Sequence, residues 1–299
     1  MSSICHFTVS ALRMACGVCL CVLCMAWAQE LRPGSGWLVP GGSRPLGAPV
    51  RVLLTGDSLM ESLGPQMRDA LSGYSNLTLI PIGKKSTGLS RSDFYNWPAV
   101  LKQHLVADKP HVVIMWVGTN DPQGIYGMTG LGEPCSKAWQ LAYLGKIREI
   151  FKLVRLHKAR FILMGPPVVG DPKLNAQLAD INRLMAWACK REGICYIDTR
   201  AILGDSHGGF HLQGKLPNGQ MALLRTADRV HITADGNKRV MHYLLPYVAQ
   251  EIRRYFSPQS AANSSPAPQG QRRGSTGISG GSGGSSGKPA GRPLHTIQR

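Results

Sequence analysis

Short apolar runs alternate with longer amphipathic segments along most of the chain, which predicts alternating strands and helices. The predicted strands are 52–55, 77–82, 111–117, 160–164 and 194–197. The predicted helices begin at Leu59 and then cover 97–106, 138–156, 174–191 and 234–255. The strand at 111–117 is apolar almost throughout, as a parallel strand buried on both faces should be. The pattern therefore predicts a three-layer α/β/α sandwich around a parallel sheet, with 204–225 irregular.

The turn Gly56-Asp57-Ser58 joins the first predicted strand to the first predicted helix, and the chain is organised around it. Ser58 lies at the helix N-terminus, where backbone N–H groups have no partner within the helix. Such N–H groups favour an anion, which is the environment that a nucleophilic serine needs. The alternative is that Asp57 or Ser58 only caps the helix, and we interpret Asp57 as the structural residue that holds the turn.

Two further segments carry polar or glycine-rich residues at the carboxyl ends of strands, where the sites of parallel sheets lie, namely Ser86-Thr87-Gly88 and Gly118-Thr119-Asn120-Asp121. A fourth segment, Asp228-Arg229-Val230-His231, comes just before the last predicted helix. Asp228 can accept the imidazole N–H of His231, which leaves the other ring nitrogen to take a proton from Ser58. The backbone N–H groups of Ser58 and Gly88, with the Asn120 amide, can hold an oxyanion. Each segment alone is an ordinary cap, turn or loop, but their order favours acyl transfer.

The two ends of the chain differ in composition from the segment between them. Residues 1–28 combine Arg13, an apolar run and Ala26-Trp27-Ala28, which predicts a cleaved signal peptide, with an uncleaved anchor as the alternative. Residues 29–48 are predicted to be a flexible lead-in, and 257–299 a disordered Ser/Gly/Pro-rich basic tail. The folded domain is therefore predicted at 49–256, in the periplasm or outside the cell.

The formal net charge of +17 narrows the choice of partners. Without the signal and the tail, 28 basic residues face 17 acidic ones, an excess of +11. This excess fits an anionic envelope polymer or membrane surface, whereas nucleic acid is not expected because no basic stripe is interleaved with aromatic residues. Outside the signal, any two of three cysteines could pair in an oxidising compartment, namely Cys135, Cys189 and Cys195.

The motifs resemble those of the SGNH (GDSL-type) hydrolases over nearly all of residues 51–256. Residues 86–98 and 207–233 look like those of a bacterial exported subfamily of undefined substrate. Gly56-Asp57-Ser58-Leu59 resembles the nucleophile block, Gly88 the glycine block, Gly118–Asp121 the asparagine block and Asp228–His231 the Asp-x-x-His block. The usual Asn-x-Gly is missing, which leaves Gly83 as the weaker alternative to Gly88. The resemblance implies a flavodoxin-like sheet, ester substrates, and catalysis without a metal or cofactor.

We therefore predict an exported serine esterase that removes O-acetyl groups from a cell-envelope carbohydrate. Ser58 is the predicted nucleophile, His231 the base and then the acid, and Asp228 the residue that orients it. A lipolytic esterase or thioesterase is one alternative, although the loop at 124–132 offers only four apolar residues to an acyl channel. An O-acetyltransferase with the same triad and a non-catalytic envelope-binding protein are the others. The oligomeric state is left open.

Overall fold

The computed structural model describes residues 49–74, 76–205 and 207–256. The predicted signal peptide, lead-in and tail lie outside these residues and stay predictions. Within the described part of the chain, no helix has both the length and the apolar character needed to cross a membrane.

A five-stranded parallel sheet forms the middle layer, in the order β2-β1-β3-β4-β5. The strands are β1 (Val50–Gly56), β2 (Leu77–Pro81), β3 (Val112–Trp116), β4 (Arg160–Met164) and β5 (Cys195–Ile197). Every residue of β3 is buried, because helices cover both faces of the sheet. The chain leaves β1 to one side for β2 and returns to the other for β3, so the carboxyl ends of β1 and β3 border the switch point where ligands bind.

The helices pack on the two faces of the sheet and complete three layers. They are α1 (Ser58–Ala70), α2 (Trp97–Ala107), α3 (Lys137–Leu156), α4 (Pro172–Glu192), α5 (Thr199–Leu203) and α6 (Ala234–Tyr255). Alternate residues of β1 serve the two cores: Val52 and Leu54 pack with α1 and α6, and Leu53 packs with α2, α3 and α4. The predicted parallel α/β/α sandwich is confirmed.

The prediction that 204–225 is irregular was wrong in part. This segment contains an antiparallel hairpin of β6 (Gln213–Lys215) and β7 (Met221–Leu223). The strands have three residues each and are mostly exposed, so they lack the apolar alternation that marks a strand. Asn218-Gly219 at the turn was the available signal, since this dipeptide favours hairpins. Helix α5 was also missed, because five residues are too few to show a helical period.

Cys135, Cys189 and Cys195 are free thiols in the structure. Cys189 and Ile194 are joined by a backbone hydrogen bond at the end of α4, which brings the loop from α4 back towards β5. None of the three alternative pairings that the sequence allows is formed.

Candidate active site

The turn between β1 and α1 is held tightly against the end of β3. Gly56 has φ of 143°, and a Cβ atom there would lie 2.0 Å from the carbonyl oxygen of Trp116. The backbone N–H of Asp57 donates to that same oxygen at 2.9 Å. Asp57 Oδ1 accepts from the backbone N–H of Leu59 at 2.9 Å and so caps α1. These contacts place Ser58, the first residue of α1, at the carboxyl end of the sheet.

Ser58, His231 and Asp228 form one hydrogen-bonded chain. His231 Nε2 lies 2.9 Å from Ser58 Oγ, across 173 residues of sequence. His231 Nδ1 lies 2.6 Å from Asp228 Oδ2. The carboxylate accepts the Nδ1 proton, so Nε2 faces the serine hydroxyl with its lone pair. This arrangement allows the imidazole to take the hydroxyl proton when the serine oxygen attacks.

Asp228 is fixed by donors on both of its oxygens. Its Oδ1 accepts from Thr226 Oγ1 at 2.6 Å and from the backbone N–H groups of Val230 and His231, each at 2.9 Å. Partial burial raises the pKa of Asp228, but the bonds from Thr226, His231 and the backbone outweigh burial and hold it well below its usual value. Asp228 therefore stays ionised and keeps the proton of His231 on Nδ1.

Arg225 stabilises the turn that carries Asp228 and His231, and the sequence analysis did not predict this role. Its fully buried guanidinium donates to the carbonyl oxygens of Val168 at 2.6 Å, Val230 at 2.5 Å and His231 at 3.3 Å. Burial lowers the pKa of Arg225 to about 10. Because all three acceptors are backbone carbonyls, no residue type in the sequence marks this role.

The predicted oxyanion donors lie on the loops that follow β2 and β3. The Asn120 side-chain amide donates to the carbonyl of Thr87 at 2.9 Å, which joins Asn120 to the residue before Gly88. No described residue accepts a hydrogen bond from the backbone N–H of Ser58 or of Gly88, or from the second amide hydrogen of Asn120. These groups are therefore available to a ligand, and their catalytic role stays a prediction.

The two candidate glycines pack differently. A Cβ at Gly88 would lie 2.2 Å from Asp121 Oδ1, so Gly88 lets its loop close over a buried carboxyl. A Cβ at Gly83 would lie 2.3 Å from the backbone nitrogen of Glu61, so Gly83 packs on the first turn of α1. The bond from Asn120 to Thr87 associates the asparagine with the Gly88 end of this loop.

The described residues contain no group of three or more His, Cys, Asp or Glu side chains that could hold a metal ion.

The family model described as "Protein of unknown function (DUF459)" matches residues 51–247. The chain belongs to the DUF459 family. This family is SGNH-like, so the predicted relationship is confirmed. No curated protein matches the DUF459 chain.

Solved structures are similar to this DUF459 chain at low sequence identity. An alpha/beta hydrolase enzyme from the metagenome of Lake Arreo in Spain is 15% identical, with 68% of this chain and 98% of that chain covered and a TM-score of 0.50. A catalytic mutant of an acetylxylan esterase from Geobacillus stearothermophilus is 16% identical, covers 69% and 95%, and has a TM-score of 0.49. A GDSL-like lipase from Bacteroides thetaiotaomicron is 18% identical, covers 67% and 88%, and has a TM-score of 0.46.

Two buried carboxyl groups lie behind Ser58 in the DUF459 chain. Asp57 and Asp121 are both fully buried, and Asp121 accepts from the backbone N–H of Ser90 at 2.7 Å and from the Tyr143 hydroxyl at 2.6 Å. Burial, with a smaller contribution from the charge of Asp121, raises the pKa of Asp57 to about 7. Burial also raises the pKa of Asp121. The sequence placed Asp121 in a motif but indicated no burial, because an Asn-Asp-Pro turn is usually exposed.

We expect Asp57→Asn to change how the stability of the DUF459 protein depends on pH. The folded state keeps the proton of Asp57 up to about pH 7, whereas the unfolded chain loses it near the ordinary aspartate pKa of 3.8. The contribution of Asp57 to stability is therefore greatest below pH 4 and is lost as the pH rises towards 7. Asparagine keeps the cap and has no such titration, so the variant should gain about 4 kcal/mol relative to wild type across that interval.

Urea unfolding of both proteins at several pH values measures this difference. Asp121 and the remaining carboxyl groups titrate in both proteins, so the quantity to follow is the difference between the two unfolding free energies. A difference that does not change between pH 4 and pH 7 would show that Asp57 is not protonated in the folded state.

Proposed function

We propose that this DUF459 protein is a serine esterase, exported after cleavage near Ala28, that removes O-acetyl groups from a cell-envelope carbohydrate. The observation that carries the proposal is the chain of hydrogen bonds from Ser58 Oγ to His231 Nε2 at 2.9 Å and from His231 Nδ1 to Asp228 Oδ2 at 2.6 Å. An ionised Asp228, a singly protonated imidazole and a hydroxyl at a helix N-terminus are the parts of a serine nucleophile.

In the first half of the reaction, Ser58 Oγ forms a bond to the carbonyl carbon of the ester and its proton passes to His231 Nε2. Asp228 stabilises the imidazolium that results. The negative charge on the carbonyl oxygen receives hydrogen bonds from the backbone N–H of Ser58 and Gly88 and from the Asn120 amide. The bond to the sugar oxygen then breaks, and that oxygen takes the proton from His231.

In the second half, water attacks the acetyl group on Ser58 and gives a proton to His231. The bond between Ser58 Oγ and the acetyl carbon then breaks, Ser58 regains the proton, and acetate leaves. A sugar hydroxyl in place of water would give an O-acetyltransferase with the same residues. The products separate the two activities, because a hydrolase releases one acetate for each ester that it cleaves.

The loop that would supply an acyl channel favours a short acyl group. Of its four apolar residues, Ile125 is buried in the core and Leu131 packs against that core, whereas Tyr126 and Met128 are exposed to solvent. A long acyl chain needs a continuous apolar lining, because its burial provides most of its binding energy. These four side chains are divided between core and solvent, which supports acetyl over long-chain esters.

We therefore expect kcat/KM for acetyl esters to be at least as high as for octanoyl esters, since a methylene that stays in water gains no transfer free energy. A series of 4-nitrophenyl esters of increasing chain length, measured with the purified protein, checks this. The matched measurement is acetate release from acetylated xylan. A kcat/KM that rises steadily with chain length would exclude the carbohydrate esterase in favour of a lipolytic enzyme.

Asn120→Ala should lower kcat for 4-nitrophenyl acetate by about 10² to 10³, the usual loss for one oxyanion donor. The bond to the Thr87 carbonyl is lost as well, so thermal melting must accompany the kinetics. Asn218→Ala is a suitable control, because Asn218 lies in the hairpin turn and bonds only to Gln220 among the described side chains. A folded Asn120→Ala protein with the kcat of wild type would remove Asn120 from the oxyanion site.

A further inference from the structure

Arg229, between Asp228 and His231, adopts a backbone conformation that its residue type does not favour. Its φ is 62°, in the left-handed region. Lys109 and Lys158 also have positive φ, but they follow the C-terminal ends of α2 and α3, where this conformation is usual. Arg229 follows no helix and is held by two backbone bonds, from its N–H to Thr226 and from Gly170 to its carbonyl. An arginine kept where asparagine or glycine would be relaxed indicates that its side chain has a use.

The side chain of Arg229 is fixed between two loops. It lies across Gly170, where a Cβ atom would come within 2.3 Å of its Nε and 2.9 Å of its Cζ. Its guanidinium also stacks on Phe210, with Cζ 5.2 Å from the ring centroid. Gly170 belongs to the loop after β4, and the carboxyl end of β4 lies at the same edge of the sheet as those of β1 and β3. The guanidinium is therefore preorganised beside the Asp228–His231 turn.

The charge of Arg229 is unpaired among the residues that the structure describes. It forms no ion pair with any carboxylate of the described residues, and its side chain is exposed. Other exposed arginines of the domain do have acidic partners, such as Arg91 with Asp93, Arg155 with Glu192 and Arg183 with Asp180. Arg225 stacks on the same Phe210 ring, but it is buried and its donors go to backbone carbonyls. Of these two arginines, Arg229 is the one whose donors face solvent.

We propose that Arg229 forms an anion subsite beside the triad and selects esters whose sugar carries an oxyanion, either a carboxylate or a phosphate. This proposal rests on the esterase function above and adds the chemistry of the acceptor. A fixed guanidinium can hold two oxygens of a carboxylate or phosphate at once. Because Phe210 and Gly170 already hold the side chain in place, little conformational entropy is lost when the anion binds.

The test compares Arg229→Gln, Arg229→Lys and wild type on three small esters: acetylated glucose, acetylated glucuronic acid and acetylated glucose 6-phosphate. Wild type should prefer one or both charged esters. Arg229→Gln should raise KM for the preferred ester by about tenfold or more and leave kcat/KM for acetylated glucose within about twofold. Arg229→Lys should restore part of the loss. The ester with the larger effect distinguishes carboxylate from phosphate. Arg68→Gln, an equal change of charge at the far end of α1, should change none of these values.

Equal losses on the charged and neutral esters in Arg229→Gln would show that Arg229 only shapes the turn, and equal kcat/KM of wild type on all three esters would equally overturn the subsite. A binding measurement separates failure of the subsite from failure of the esterase. Calorimetry measures how acetylated glucuronic acid and acetylated glucose 6-phosphate bind to Ser58→Ala and to the double variant Ser58→Ala with Arg229→Gln. Binding that depends on Arg229 with no turnover of any ester by wild type would support the subsite and reject the esterase. Binding of both charged esters that is unchanged by Arg229→Gln would reject the subsite.

Discussion

Ser58→Ala should leave the fold intact and lower kcat on acetyl esters by at least about 10³-fold, because the bond-forming oxygen is removed while the oxyanion donors remain. The Ser58 hydroxyl bonds to His231 and makes no other side-chain bond among the described residues, and alanine is a good helix former at the start of α1. Thermal melting should therefore shift little. Steady-state kinetics on 4-nitrophenyl acetate, with circular dichroism to verify folding, measures the effect.

Ser62→Ala is the matched control. Ser62 lies one turn further along the same helix, and its hydroxyl accepts from Asn237 Nδ2 at 2.9 Å. Its loss should cost about 1 kcal/mol of stability and leave kcat within about twofold of wild type. Turnover at the wild-type rate by folded Ser58→Ala would remove Ser58 as the nucleophile and with it the proposed mechanism.

Asp228→Asn should lower kcat by about 10⁴-fold, as the same change does in other serine triads. Asp228 Oδ1 accepts three hydrogen bonds, from Thr226, Val230 and His231, so an asparagine keeps its oxygen there and turns its NH₂ towards His231 Nδ1. Nδ1 must then act as an acceptor, and the imidazole proton moves to Nε2. A protonated Nε2 cannot take the proton of Ser58.

Asp171→Asn serves as the comparison for this variant. Asp171 is also an exposed aspartate that accepts a backbone N–H, as the N-cap of α4, but it has no histidine partner among the described residues. Its replacement should leave kcat unchanged. The kcat of both variants should be measured at several pH values. The tautomer argument predicts that no pH between 6 and 9 restores the kcat of Asp228→Asn. Recovery of wild-type kcat anywhere in that interval would contradict it.

Much of the fold follows from local pattern. Helix α6 (Ala234–Tyr255) and strand β4 (Arg160–Met164) have the bounds that periodicity predicts. These elements are long or continuously apolar, so the order of apolar and polar residues along each of them shows which positions are buried. Local pattern did not predict the β6–β7 hairpin or α5. Each is short, and turn and cap hydrogen bonds stabilise it more than an apolar face does.

The candidate site divides in the same way. The Gly-Asp-Ser turn and the three-residue spacing of Asp228 and His231 are local, so the sequence alone indicated which groups could act together. The burial of Asp57 and Asp121 is not local, because it comes from α1, the loop after β2 and Tyr143 on α3 closing around them. Their raised pKa values follow from that burial and could not be read from residue type.

By itself, the sequence determined the order of strands and helices, the position of Ser58 at a strand-to-helix turn, and the residue types beside it. Only the tertiary structure decided that Ser58 Oγ meets His231 Nε2, that Arg225 holds the turn through three carbonyls, and that Arg229 lies across Gly170. The reason is physical: periodicity records which face of an element is buried, whereas contacts between loops distant in sequence depend on how the sheet orders its strands.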